Sequence, residues 1–384
     1  MSSTQGTSVA SASTLDRLSL YLGTCCRLWL GLYLAFCCIV SVKCMMLHVA
    51  MVGFLLCLLS YFRLPACEPS EVFRILGRDP LNFDGSPSRQ QARGVLGLIA
   101  HRAAPLDAPE NSIEAVKKAK KAGAKTVHLN VSFTSDAVAI ALRPNHIKDL
   151  TSKSCKISGD QCKDLAYKDL EQSLDLAAMH ALKDSFSPCR VSKIEDLVDF
   201  CLAEDLKIFL DVSLNEHLSL DMMSDFFANH LFAKKTGLYS KAVVVSSWPQ
   251  IIFAIRQKDP RIVCGLNWSP DLLRATFPKS RSIGLFYLAT FGDFILSWAV
   301  HDFLWYFLGL SLVVVDKKQI NAPYVQKWRS KGIRVIASPV NKSLERLYFE
   351  KQLKLTCMAD TMDEIGVEKL LEEANNATSC AASH

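Results

Sequence analysis

The chain has 384 residues, half of them hydrophobic and 21% charged, with a mean hydropathy of +0.16. That length holds one large domain of about 250–300 residues plus accessory segments. The formal net charge of +6 sits in scattered lysine pairs such as Lys117-Lys118 and Lys317-Lys318 without interleaved aromatics, which argues against nucleic-acid binding, and the fourteen cysteines show no zinc spacing.

Residues 1–17 form a Ser/Thr-rich tail expected to be disordered. Between Leu28 and Phe62 the one charge is Lys43. Cys44–Phe62 is long enough to span a hydrocarbon core of about 30 Å, whereas Leu28–Val42 alone is short. Residues 18–63 are therefore expected to be a membrane anchor of one span or a tight two-span hairpin. A secretory signal is the rival reading, disfavoured by the late start, the length and the many cysteines. Cys25-Cys26 is a weak acylation signal. Residues 64–93, with Pro65, Pro69, Pro80 and Pro87, read as a linker.

From 94 to 365, short β-branched runs alternate with helical patterns, as in parallel βα units. The strands expected are Leu98–His101, Val127–Phe133, Val138–Leu142, Lys207–Val212, Ala242–Ser246, Ile262–Leu266, Leu312–Val315 and Arg334–Ser338. The helices are Ser112–Ala122, Ser192–Ala203, Trp248–Gln257, Ala322–Lys331 and Leu344–Gln352. Asn111 or Ser112 can cap the first, and Gly123 ends it. Eight strands give an α/β fold, a (β/α)8 TIM barrel behind an N-terminal membrane anchor. A second apolar segment, Ile283–Val315, is broken only by Asp293, His301 and Asp302. A single crossing there leaves the last two strands on the wrong side of the bilayer. An insertion over about 283–311 is expected instead: a hydrophobic helical hairpin docked on the barrel, a segment dipping into the membrane interface, or an ordinary barrel helix. Residues 366–384 form a polar tail, with Asn376 the plausible glycan acceptor among four sequons; Cys155 and Cys162 could pair in an oxidising lumen.

Function in such a barrel gathers at the C-terminal ends of the strands. There lie His101-Arg102, then His128 and Asn130 on one face of their strand, Arg143 after the next, Asp211 and Ser213, and Pro339-Val340-Asn341. A short final run, Cys357–Asp360, also approaches the barrel.

The segment from Ile99-Ala-His-Arg to Pro109-Glu-Asn-Ser112 resembles the signature of the glycerophosphodiester phosphodiesterase family, closest to its membrane-anchored animal branch. The resemblance runs from about Leu98 to Asp360 and implies hydrolysis of a glycerophosphodiester to an alcohol and glycerol 3-phosphate. It makes His101 a catalytic and phosphate-contacting histidine and Arg102 its partner in substrate binding. The family's two strand-two carboxylates fall on His128 and Asn130, its second catalytic histidine on Arg143, and a further carboxylate on Asp211. The glycine after His-Arg is Ala103, and the lysine two residues beyond Asp211 is Ser213.

The resemblance implies Mg²⁺ or Ca²⁺, hard cations that want several oxygen ligands. An imidazole and an amide in place of two carboxylates weaken such a site, and Arg143 cannot shuttle protons near neutral pH. Hydrolysis is therefore expected to be impaired. His101, Arg102, His128 and Arg143 are expected to form a cationic cup for a glycerophosphodiester or phospholipid headgroup. The alternatives are a catalytically inactive binding or regulatory membrane protein, or Arg143 simply paired with Asp211 or Glu110. The expected location is an endomembrane or plasma membrane, with the barrel lumenal or extracellular and the lipid bilayer as partner.

Overall fold

The computed structural model describes residues 23, 26–33, 42–77, 79, 96–143, 165–181, 183–215, 217–276 and 283–362. The two polar tails, Cys25, the Cys155/Cys162 pair and half of the proline-rich linker lie outside them. The chain divides into two units, Met1–Phe62 and Arg63–His384. In the first, helix α1 (Val42–Phe62) has 21 residues of almost wholly apolar sequence.

In the second unit, α2 (Pro69–Leu76) opens with proline at its first turn, where a missing N–H costs nothing. There follow β1 (Ile99–Ala100), α3 (Ile113–Lys121), β2 (Thr126–Phe133), β3 (Ala139–Ile140), α4 (Tyr167–Ser173), α5 (Ile194–Ala203) and β4 (Lys207–Val212). Then come α6 (Leu220–Asp225), β5 (Ala242–Ser246), α7 (Pro249–Lys258), β6 (Cys264–Trp268), α8 (Leu272–Thr276) and α9 (Ile283–Ala299). The unit ends with β7 (Leu312–Asp316), α10 (Ala322–Arg329), β8 (Arg334–Ser338), α11 (Ser343–Leu347) and β9 (Thr356–Ala359).

Eight of these strands are parallel and close a barrel in the order β1-β2-β4-β5-β6-β7-β8-β9, with β1 paired to both β2 and β9. The expected (β/α)8 barrel is present, but one member differs. The run Val138–Leu142 is not a barrel strand. Its core, β3, pairs antiparallel with β2 as a hairpin over the mouth, and Ile140, Leu142, Leu170 and Val191 make a small separate core. The eighth place belongs to β9, whose Met358 pairs with Ile99.

Side chains alternate across each strand. On β2, Val127, Leu129 and Val131 join the core under the helices, which turns His128 and Asn130 into the barrel. The interior below them is apolar, built from Phe209, Val243, Val245, Val314, Ile336 and Met358, and α2 seals it with Ile75 and Leu76. Gly265 keeps that layer closed, since a Cβ there falls 2.4 Å from Leu312 Cδ1. Polar groups flank this layer, with the mouth above it and, at the strand starts, Lys207 and Arg334 donating to the carbonyls of Ile75 and Gly77.

The late apolar segment is one helix, not a hairpin. Helix α9 continues through a π turn (Val300–Leu304) and a last turn (Trp305–Phe307), so Ile283–Phe307 runs unbroken for 25 residues. Among the described residues it is the helix long and apolar enough to cross a membrane; Met46–Phe62 of α1 is a shorter apolar stretch. Asp293, which by charge alone looked like an interruption, is buried and accepts hydrogen bonds from Leu273 N (2.7 Å) and Arg274 N (2.9 Å).

Candidate active site at the barrel mouth

Strand β1 ends in an abrupt left-handed turn. Arg102, Ala103 and Ala104 have φ of 50°, 58° and 65°, a region that costs a non-glycine residue roughly 1–2 kcal/mol. The turn is held from inside the barrel, because Arg102 N donates to His128 Nδ1 at 3.3 Å. It swings the Arg102 side chain across the mouth and carries the chain into the Pro-Glu-Asn-Ser corner. There Ser112 caps α3, accepting from Ala115 N at 3.1 Å. Asn111 does something else: its Oδ1 accepts from Asn130 N (3.0 Å) and its Nδ2 donates to Asn130 Oδ1 (3.3 Å), extending the two-residue β1 along β2.

Three carboxylates and two guanidiniums meet over this floor. His101 Nδ1 lies 2.7 Å from Asp360 Oδ1, just past β9. Arg102 donates to Glu110 (Nη1, 3.0 Å) and Asp360 (Nη2, 3.4 Å), while its buried Nε has no partner. Arg143 Nε donates to the other Glu110 oxygen at 2.7 Å. Asn341 Nδ2 donates to Asp360 Oδ2 at 2.7 Å. On the opposite wall, Asp211 Oδ2 accepts from Asn267 Nδ2 at 3.0 Å and lies 3.4 Å from His128 Nε2. The expected cationic cup is therefore charge-compensated. Arg102 and Arg143 pair with Glu110 and Asp360, Asp211 lies beside His128, and of the two pairings foreseen for Arg143 the one with Glu110 forms.

These contacts fix the imidazoles. Burial opposes ionisation of Asp360, but hydrogen bonds from His101 and Asn341 and the charge of Arg102 overcome it and hold the carboxyl down at about 2. An ionised Asp360 only accepts, so His101 Nδ1 carries the proton and Nε2 keeps its lone pair. Burial pulls the His101 pKa below its ordinary value, with neighbouring His128 and Arg102 acting the same way and Asp360 opposing, so the ring is neutral at pH 7. His128 accepts at Nδ1 and so presents Nε2–H to Asp211.

The same shifts set an acid limb. Both groups have folded pKa values below their unfolded ones, so each contributes stability above its unfolded pKa that is lost as pH falls toward the folded value. For His101 the loss begins below about 6.5, and for Asp360 it runs from about 4 to about 2, a contribution of about 2 kcal/mol. Asp360→Asn is expected to lower stability at pH 7 by about that amount and to flatten the limb below pH 4. Equal pH profiles for variant and wild type in denaturant titrations would refute this assignment.

The residues do not fit a hard divalent cation. Of the positions implied as ligands, only Asp211 is a carboxylate, and both its neighbours already hold the same oxygen. Asn130 Oδ1 is taken by Asn111, and Glu110 is shared by two guanidiniums. Among the described residues no cluster of three or more His, Cys, Asp or Glu side chains is placed to hold a metal.

The structure thus brings His101, Arg102, His128, Asn130, Arg143 and Asp211 to one mouth. Glu110, Asn267, Asn341 and Asp360 complete the network. Asn267 was legible in principle, since Cys264, Leu266 and Trp268 alternate into the outer core and leave Gly265 and Asn267 inward.

Comparison with known proteins bears on the family and the fold. The glycerophosphoryl diester phosphodiesterase family matches residues 101–367. Glycerophosphodiester phosphodiesterase 1 of Mus musculus is 32% identical over 291 residues, covering 74% of this chain and 85% of the relative. A solved protein of Silicibacter pomeroyi DSS-3, assigned as a glycerophosphoryl diester phosphodiesterase, superposes with a TM-score of 0.54 at 16% identity, over 70% of this chain and 91% of its own. A phosphodiesterase of Oleispira antarctica, solved with the product sn-glycerol-3-phosphate, gives 0.51 at 15% identity over 72% and 96%. At such identities the solved structures speak for the fold alone.

Proposed function

Because the chain belongs to the glycerophosphoryl diester phosphodiesterase family, we propose that its barrel mouth recognises the glycerophosphodiester group of that family's reaction and that hydrolysis is impaired here. The observation that carries the second half is Asp211, held by His128 and Asn267 where the family resemblance calls for a carboxylate cluster. His101 is the acceptor on offer: with Nδ1–H on Asp360, its Nε2 can take a proton from a hydroxyl or water at the phosphodiester. Arg102 supplies positive charge beside it. Among the described residues the position of the family's second histidine holds Arg143, a guanidinium paired with Glu110 that does not exchange protons near neutral pH. That ion pair also favours a second reading, a non-catalytic headgroup-binding or regulatory protein.

Attachment to a membrane is part of the reading. Helix α1, 21 residues or about 30 Å long, matches a hydrocarbon core. It anchors the chain in an endomembrane or the plasma membrane, with the barrel on the lumenal or extracellular side. Titration of full-length protein with glycerophosphocholine and glycerophosphoinositol, with EDTA and with Mg²⁺ or Ca²⁺, tests the site. Binding should survive EDTA, and turnover should not rise with either cation. Divalent-dependent turnover equal to that of the mouse relative, assayed alongside, would overturn the proposal.

A further inference from the structure

Helix α9 presents two unlike faces. Gly292 meets Leu273 so closely that a Cβ there falls 2.7 Å from its Cδ1, and Ala289, Asp293 and Val300 are buried on the same side. The other side is bare: Ile283, Tyr287, Leu288, Phe291, Ile295 and Trp298 each expose between 47% and 64% of their surface. Their spacing places them on one helical stripe, which Tyr306 extends. The single charge of Ile283–Ala299 is Asp293, spent on the protein side. A continuous stripe of this kind is larger than the scattered apolar residues of an ordinary surface.

Two observations say what covers it. The chain enters the barrel unit at the end of this helix: Arg63 stacks on the Tyr306 ring at 3.7 Å, and Leu64 N donates to Phe307 O at 2.9 Å. The residues just before that entry are the apolar α1. The stripe also carries Tyr287, Trp298 and Tyr306, the amphipathic aromatics that favour the membrane–water boundary. Crossing is ruled out by connectivity, since α9 leaves from β6 and returns to β7, neighbouring parallel strands of one barrel. We propose that α9 lies in the plane of the bilayer with its exposed stripe sunk in one leaflet. The barrel then rests on its side, because α9 runs from the mouth end of β6 to the start of β7, and the mouth opens along the headgroup layer. This rests on the membrane attachment proposed above.

The test uses full-length protein in phosphatidylcholine vesicles, with the photo-crosslinker p-benzoylphenylalanine replacing Leu288, Phe291 or, as a control, Lys121. Lys121 lies on α3 between β1 and β2, across the ring from α9. After irradiation, lipid adducts should form at 288 and 291 at about tenfold the yield at 121. Crosslinks to a second copy, no adducts, or equal yields at 121 would overturn the proposal. Alkaline carbonate extraction scores attachment separately. Protein released from the vesicles sinks both readings, whereas retained protein without adducts at 288 and 291 sinks only the α9 contact.

Discussion

The triple variant His128→Glu, Asn130→Asp, Arg143→His is expected to hydrolyse glycerophosphocholine in a divalent-dependent manner about 10²–10⁴-fold faster than wild type. Two restored carboxylates beside Asp211 supply the anionic oxygens that Mg²⁺ or Ca²⁺ requires, and a histidine at 143 restores a group that can exchange a proton. Arg143→His also removes one of the two guanidiniums that hold Glu110. Single substitutions should achieve little, since the ligand set and the proton donor act together. In the absence of cation the variant buries carboxylates at positions only 2% and 9% exposed, so its melting temperature should fall. Added Mg²⁺ should then raise that temperature in the variant and not in wild type. Wild-type turnover equal to that of the triple variant would remove the case for impairment.

Arg256→Met is expected to cost about 3–5 kcal/mol of stability. The Arg256 side chain is fully buried on α7 and donates to four carbonyls: Leu308 and Gly309 at 2.6 Å each, Pro65 at 2.7 Å and Pro260 at 3.0 Å. Gly309, at φ 59°, leaves room for it, because a Cβ there falls 2.4 Å from Arg256 Nη1. Methionine fills the volume but leaves those acceptors unpaired. Arg261→Met, at a guanidinium with 70% of its side chain exposed, should lie within about 1 kcal/mol of wild type. Denaturant unfolding in one detergent checks both, and an Arg256 variant as stable as the Arg261 variant contradicts the argument.

Much of this was legible in the sequence, for identifiable reasons. Alternation on β2 put His128 and Asn130 on one face, and the family resemblance located His101, Arg102 and Asp211. The Val138–Leu142 run misled because alternation carries no direction. Only four residues separate it from Phe133, and a parallel partner needs a crossover of about a dozen, so an antiparallel hairpin was the readable answer. Strand β9 was noticed as a short run approaching the barrel but not counted among the eight strands, because four residues, Thr-Cys-Met-Ala, carry too little pattern. Its importance lies in the residue it delivers to the mouth, Asp360, whose pairing with His101 is a tertiary fact. Of the ion pairs at the mouth only the Arg143 pairing was foreseen, because a list of cations does not say which carboxylates the loops bring back.

His101 and Asp360 stand 259 residues apart in sequence, and the strands that deliver them are the first and last of the ring. Until β9 emerges, the sheet has two open edges along β1 and β8, each offering unpaired backbone to another chain. A chain that stops short of β9 lacks both the closing strand and the histidine–aspartate pair. Chain-terminating mutations upstream of residue 356 should therefore give aggregation and clearance in place of a weakened protein, and such alleles should behave as complete losses.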